Sequence, residues 1–347
     1  MFRLGSRYKM GIRYLNKYIT RKCGQHIREI SIYELRGNKV AIDASIYMYR
    51  FKSEECLIDG MYQMAMLLRK TGIVPVFVFD GKPPREKIPL LKQRRDDKKN
   101  AEKEMLTMQR KLNENKSEVR YHDYIECKRK CVRLRRSEIE SVKRLLMLCG
   151  ITCYQAEGEA DELCARLVLK KRVWACMSED MDMFVYGCTR VIRSFHLVRG
   201  TCLLYDTNAI LKTLDLTMSE FREICVVSGS DYNASPGDKI TLYQAIESFE
   251  KFKGDREQSR VENNNVGRKV DTQSANFYDW LDSEGVYKNN VYQLYAADIV
   301  FDTSSMNLTN YDVNPIINKA LNYQELRKFL WDYDFVFPTN HNMSNEP

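Results

Sequence analysis

The chain has 347 residues, 44% of them hydrophobic and 29% charged, which is enough apolar material for a core of domain size and marks a globular rather than a disordered sequence. Its longest apolar run, Ile73 to Phe79, is broken by Pro75 and falls short of the ~18 residues of a membrane span; the basic start lacks an apolar signal core, and the 11 scattered cysteines do not pair up as a disulfide framework. The net charge of +8 is concentrated between Arg85 and Arg136, where 18 Lys and Arg face 9 Asp and Glu, leaving an almost balanced 37 against 38 elsewhere.

In chain order, Lys39–Ser45 reads as a strand after a Gly-Asn turn, and Gly60–Lys70 has helical spacing of Met, Leu and Ala. Ile73–Asp80 is a buried-strand pattern that ends in an acid. The basic stretch Lys87–Arg136 is helical in composition without a strong apolar stripe, as in an exposed excursion over a core. It predicts a polyanion partner, nucleic acid above all, or else a solvated helical face. Cys127 and Cys131 share one face of it, but with no C-x-x-C and no second pair a metal site there is not expected.

Beyond it come a helix over Glu138–Cys149, a strand over Ile151–Ala156, a helix over Glu159–Lys170 and a strand over Val173–Met177. Arg190–Phe195 and Thr201–Tyr205 read as further strands, and from Thr207 the pattern is helical. Short apolar strands alternating with helices predict an α/β fold with a central, mostly parallel sheet covered on both faces. The organisation expected is a short extension over 1–9, a first region over 10–115 and a second over 116–250. A polar, flexible insertion follows over 251–276, then a helical region over 277–334 and a disordered tail over 335–347.

The acids fall in a pattern. Asp43 and Asp80 lie at the ends of the first two strands, Glu159 and Asp161 follow the third, and Asp180 and Asp182 follow the fourth. In a parallel sheet the carboxyl ends of the strands open on one edge, so six acids converge there; Asp231, in a Gly-Ser-Asp-Tyr turn, adds a seventh. A strand-end Asp often merely caps the next helix, but repetition at four successive strands is not explained that way. Such a cluster needs cations, and oxygen-only donors suit Mg²⁺ or Mn²⁺. Two such ions about 4 Å apart can activate water and stabilise the leaving oxygen in phosphodiester hydrolysis. No glycine-rich phosphate loop of the P-loop kind occurs in the sequence.

The sequence resembles the flap endonuclease/XPG family of structure-specific 5′ nucleases. The resemblance rests on KVAIDAS followed by Tyr47 and Tyr49, VFVFDGKPP at 76–84, GEADELCA at 158–165, SEDMDMF at 178–184 and GSDY at 229–232. It runs from Met10 to about Asp334 and is nearest to flap endonucleases. It implies a 5′-nuclease (PIN-like) fold and a first Mg²⁺ held by Asp43, Asp80, Glu159 and Asp161. Asp180, Asp182 and Asp231 would hold a second, with Mn²⁺ as a substitute. It makes Lys87 and Arg94 the cations that contact the scissile phosphate, and Tyr49 an aromatic that stacks on a terminal base; a core Tyr is the plainer reading. Lys98, Lys99, Arg110, Lys111, Lys128, Arg129, Lys130, Arg133, Arg135 and Arg136 would track phosphates in a helical arch.

The activity implied is Mg²⁺-dependent 5′ flap endonuclease and 5′-to-3′ exonuclease cleavage in DNA replication, repair or recombination. A mainly exonucleolytic or junction-cleaving relative, or a non-catalytic DNA-binding scaffold, are the alternatives. The implied partner is DNA with a 5′ single-strand/duplex junction, bound by a monomer without a membrane. A nuclear location is implied, or a host nucleus or cytoplasm for a viral protein. The sequence departs from the family pattern in four places. Nine residues precede Met10, and the stretch from Tyr49 to Asp80 is short. The turn of the family's potassium-binding helix-two-turn-helix is replaced by Ser235–Ile240, where Lys239 would still reach a phosphate. No sliding-clamp motif is recognisable near Leu326.

Overall fold

A computed structural model describes residues 12–113, 121–232, 240–266, 276–287, 289–312 and 315–335. Seven strands form one sheet: β1 (Ile27–Ser31), β2 (Lys39–Asp43), β3 (Val74–Phe79), β4 (Thr152–Gln155), β5 (Ala175–Met177), β6 (Arg190–His196) and β7 (Thr201–Asp206). Their order is β1-β7-β6-β5-β2-β3-β4. The five strands from β4 to β6 run parallel, with Asp43 beside Val78 and Ala41 beside Cys176. β7 and β1 add an antiparallel edge. The mostly parallel sheet read from the sequence is present. β1 was not anticipated; its burial does not alternate, and only Ile30 is buried.

Successive residues of a strand face opposite sides of the sheet, and here both sides are apolar. Ala41, Val76, Val78 and Cys176 pack with helices Leu15–Cys23, Ala160–Leu169 and Met218–Val227. Val40, Ile42, Phe77, Phe79 and Met177 pack with helices Leu57–Lys70, Arg136–Leu148 and Tyr323–Trp331. This double burial explains why the central strands read as near-continuous apolar runs.

The sequence left the conformation around Tyr49 open, and one other segment differs from expectation. The residues around Tyr49 form a helix, Ala44–Ser53, capped by the Asp43 side chain; Tyr47 and Phe51 are buried one turn apart, and Tyr49 is 42% exposed on the other side. The supposed flexible insertion over 251–276 is helical in its first part, within Leu242–Val266. Phe249 and Phe252 anchor that helix against Phe277, at ring distances of 5.0 and 5.6 Å. Residues 267–275 lie outside the described residues, as do 336–347, which hold all but the first residue of the expected tail. The basic excursion is two packed helices, Ile88–Asn113 and Tyr121–Lys130, and the Cys127 thiol is buried between them, donating to the Ala101 carbonyl at 3.2 Å. Among the described residues no helix is long and apolar enough to cross a membrane.

Candidate active site

Parallel register places the carboxyl ends of β4, β3, β2 and β5 side by side, so Asp43, Asp80, Glu159, Asp161, Asp180 and Asp182 share one edge of the sheet. Local hydrogen bonds hold three of them. The Asp43 carboxylate accepts from the Ser45 amide at 3.0 Å, as an N-cap does. Asp80 accepts from the Ala160 amide at 2.9 Å, at the start of helix Ala160–Leu169, and from the Ser45 hydroxyl. Asp180 accepts from the Asp182 amide at 3.0 Å, so one side chain shapes the turn that presents the next.

Gly81 brings β3 and β4 together at this edge. Its amide donates to Gly158 O at 2.7 Å, and the Lys82 amide donates to Glu157 O at 3.0 Å. A Cβ on Gly81 would stand 2.1 Å from Ala156 O, so only glycine permits this approach. The sequence offered the Asp-Gly pair but not the reason for it.

The electrostatics are those of an acid cluster withdrawn from water. Asp43 is 4% exposed and Asp182 3%. Burial, then Asp80 and Asp180, push the Asp43 carboxyl up to about 8. Burial, then Asp43 and Asp180, raise Asp161; burial, then Asp180 and Asp231, raise Asp182. Like charges this close disfavour joint ionisation unless a cation joins them.

Two protein cations enter the cluster. Lys87 Nζ donates to Glu159 Oε1 at 2.6 Å and lies 3.8 Å from Asp231 Oδ2. Burial alone would lower the Lys87 ammonium, but Glu159, then Asp231 and Asp161, outweigh it and raise it. Arg94 Nη2 donates to Asp231 Oδ2 at 2.7 Å. Asp231 follows helix Met218–Val227 and is therefore carried to the edge by a different part of the chain. Lys87 and Arg94 thus tie the helical excursion to the acids at the sheet edge.

The donor set fits a hard divalent ion. Every candidate ligand is a carboxylate oxygen, and Asp161 Oδ1 and Asp182 Oδ1 are buried without a hydrogen-bond partner, a costly state that an ion would relieve. The fit is one of charge and donor type. Among the described residues no three acids already close on a point as a finished coordination sphere, while Glu159 and Asp231 are held by Lys87 and Arg94.

The basic residues of the helical excursion make contacts of their own. Lys98 Nζ lies 5.1 Å from the centre of the Tyr49 ring, a cation–π contact, and donates to Val132 O at 3.0 Å. Lys99 pairs with Asp96, Lys128 with Glu55 at 2.5 Å and Arg133 with Glu102 at 2.8 Å. Lys128, Arg129, Lys130, Arg133, Arg135 and Arg136 are all exposed. Lys239 and the turn before it lie outside the described residues. The sequence reading missed Tyr232 as more than a motif letter; its hydroxyl donates to Glu159 Oε2 at 2.5 Å.

Comparison with known proteins agrees with this geometry. A family model described as XPG N-terminal domain matches residues 10–101, and one described as XPG I-region matches residues 150–231. The first span contains Asp43, Asp80, Lys87 and Arg94, and the second contains the other five acids. Flap endonuclease 1 of Entamoeba histolytica is 30% identical over 261 residues, 69% of this chain and 68% of that protein. Among solved structures, the catalytic core of Rad2 in complex with DNA substrate has a TM-score of 0.62 at 21% identity, covering 93% of this chain and 95% of that one. Flap endonuclease-1 from Methanococcus jannaschii has a TM-score of 0.55 at 22% identity, covering 90% and 93%. At these identities the two structures show a shared fold.

Proposed function

Because this chain belongs to the flap endonuclease/XPG family of structure-specific 5′ nucleases, we propose that it hydrolyses DNA phosphodiesters at the single-strand/duplex junction of 5′ flaps, with 5′-to-3′ exonuclease activity. The observation that carries the reading is the gathering of six carboxylates at the carboxyl ends of adjacent parallel strands, joined by Asp231 and met by Lys87 and Arg94.

Asp43, Asp80, Glu159 and Asp161 would hold one Mg²⁺, and Asp180, Asp182 and Asp231 a second, with Mn²⁺ a substitute. When bound, such ions supply an activated water and charge stabilisation for the leaving oxygen. The chain's own residues do the rest. Lys87 and Arg94 set positive charge where the phosphate gains negative charge in the transition state. Tyr49 offers an exposed face for a terminal base. The basic arch helices follow the phosphates of the single strand; Lys98, Lys99, Lys128, Arg129, Lys130, Arg133, Arg135 and Arg136 supply that charge, and Lys239 a contact to duplex DNA. A monomer suffices, since the site is built from one chain. A DNA substrate supports work in a DNA-containing compartment, a nucleus, or a host nucleus or cytoplasm for a viral protein.

Cleavage rates on matched 5′-flap, nicked and four-way-junction DNA test the substrate preference. The reading expects the flap to be cut fastest. Faster cleavage of the nick or the junction would reassign the chain to exonuclease or junction-resolving work.

A further inference from the structure

The active site carries two tyrosines that have no task in the hydrolysis just proposed. The Tyr232 hydroxyl donates to Glu159 Oε2 at 2.5 Å, and the Tyr186 hydroxyl lies 2.7 Å from the Tyr232 oxygen. A phenol has one proton, and that of Tyr232 is committed to the carboxylate. Tyr186 is therefore the donor to Tyr232, and the chain has one direction: Tyr186 to Tyr232 to Glu159. The other Glu159 oxygen is taken by Lys87, whose Nζ also lies 5.6 Å from the centre of the Tyr232 ring. Tyr232 thus touches both partners of the Lys87–Glu159 pair.

The chain is closed to water. Tyr186 is 1% exposed and Tyr232 7%. Phe301 stands edge-on to both rings, 4.9 Å from Tyr186 and 5.1 Å from Tyr232. It ends helix Tyr292–Phe301, which packs on helix Met218–Val227. A hydrogen-bond chain in a dry site is stronger than its separate links, and its far end is fixed by packing.

We propose that Tyr232 is a positioning residue that orients the Glu159 carboxylate for cation binding, and that Tyr186 acts on Glu159 only through Tyr232. The inference rests on the nuclease reading for its consequence, since Glu159 is there a metal ligand. Outer partners that orient a ligating group commonly change metal affinity by about 10–100-fold.

The test compares Tyr186→Phe, Tyr232→Phe and the double variant, each checked for cooperative thermal unfolding. Mn²⁺ affinity is measured on DNA-free protein by electron paramagnetic resonance, beside kcat and KM on a 5′ flap. Tyr232→Phe is expected to weaken Mn²⁺ binding by about 10–100-fold and to lower kcat with little change in KM. Tyr186→Phe is expected to give a smaller loss of the same kind, and the double variant no more than Tyr232→Phe alone, because the second link has nothing to act through. Tyr186→Phe leaves the bond to Glu159 in place and carries the test if Tyr232→Phe does not fold. Unchanged Mn²⁺ affinity in the single variants, or a double loss equal to the product of the two, overturns the chain. Wild-type protein that binds Mn²⁺ and cuts no flap would instead sink the nuclease reading alone.

Discussion

Lys87 Nζ meets Glu159 Oε1 at 2.6 Å across 72 residues of sequence. The pair joins the loop after β3 to the start of the helix after β4, and so joins the basic arch to the acid cluster. Lys87→Ala removes the cation proposed to meet charge on the phosphate. Loss of one such preorganised donor costs about 10²–10³ in rate, so kcat on a 5′ flap is expected to fall by that order while DNA affinity changes little. A loss expressed only in KM would mean that Lys87 merely binds.

Gly81→Ala tests the architecture under the site. The new Cβ would meet Ala156 O at 2.1 Å and Glu157 O at 2.5 Å, both backbone atoms, so β3 and β4 must part at their carboxyl ends. Overpacking of this kind costs about 1–3 kcal/mol. A lower melting temperature is expected together with weaker Mn²⁺ binding, because Asp80 and Glu159 move apart. Unchanged values in both measurements would show that the loop gives way without disturbing the acids.

Much of this was legible in the sequence. Apolar runs ending in acids marked the parallel strands, and the spacing of Asp43, Asp80, Glu159, Asp161, Asp180 and Asp182 placed them on one edge. What was not legible depends on partners distant in sequence. Tyr186 looks like a core residue until its hydroxyl is seen 2.7 Å from that of Tyr232. Residues 251–266 looked like a polar insertion because the apolar anchors of helix Leu242–Val266, Phe249 and Phe252, are few and pack on a segment that comes later in the chain. Tyr49 lies in a helix that the Asp43 side chain caps and that Tyr47, Met48 and Phe51 anchor in the core.

Away from the acid cluster, Glu223 gives a pH signature. Burial, then Asp298 on the facing helix, push it up to about 7, with Glu220 adding and Ser219 and Arg256 opposing. An unfolded Glu titrates near ~4.3, so between these values the folded chain binds the extra proton. Its stabilisation is complete below about pH 4 and is lost as pH rises through 7. Glu223→Gln is therefore expected to flatten the decline in melting temperature from pH 5 to 8. An identical slope in both proteins would mean that Glu223 is not held protonated.

The proposed function gives the arch charges a part in affinity rather than chemistry. Replacing Lys128, Arg129 and Lys130 by Glu is expected to weaken flap binding and to flatten its salt dependence. The log–log slope should fall by up to about 0.7 for each single-strand phosphate that is no longer neutralised. Titrations at several salt concentrations measure this. An unchanged slope would take this helix off the DNA.

The most direct test is cleavage of an end-labelled 5′-flap duplex by wild type and Asp180→Ala, each with and without Mg²⁺. Asp180 is buried in the acid cluster and hydrogen-bonded to the Asp182 amide. Removing a proposed ligand itself is expected to cost at least the ~100-fold that its outer partners can. The account predicts cutting near the junction by wild type in Mg²⁺ alone. Asp180→Ala is expected to bind the flap with near wild-type affinity and to leave it intact. Equal cleavage by the two proteins, or wild-type cleavage undiminished after chelation, would contradict it.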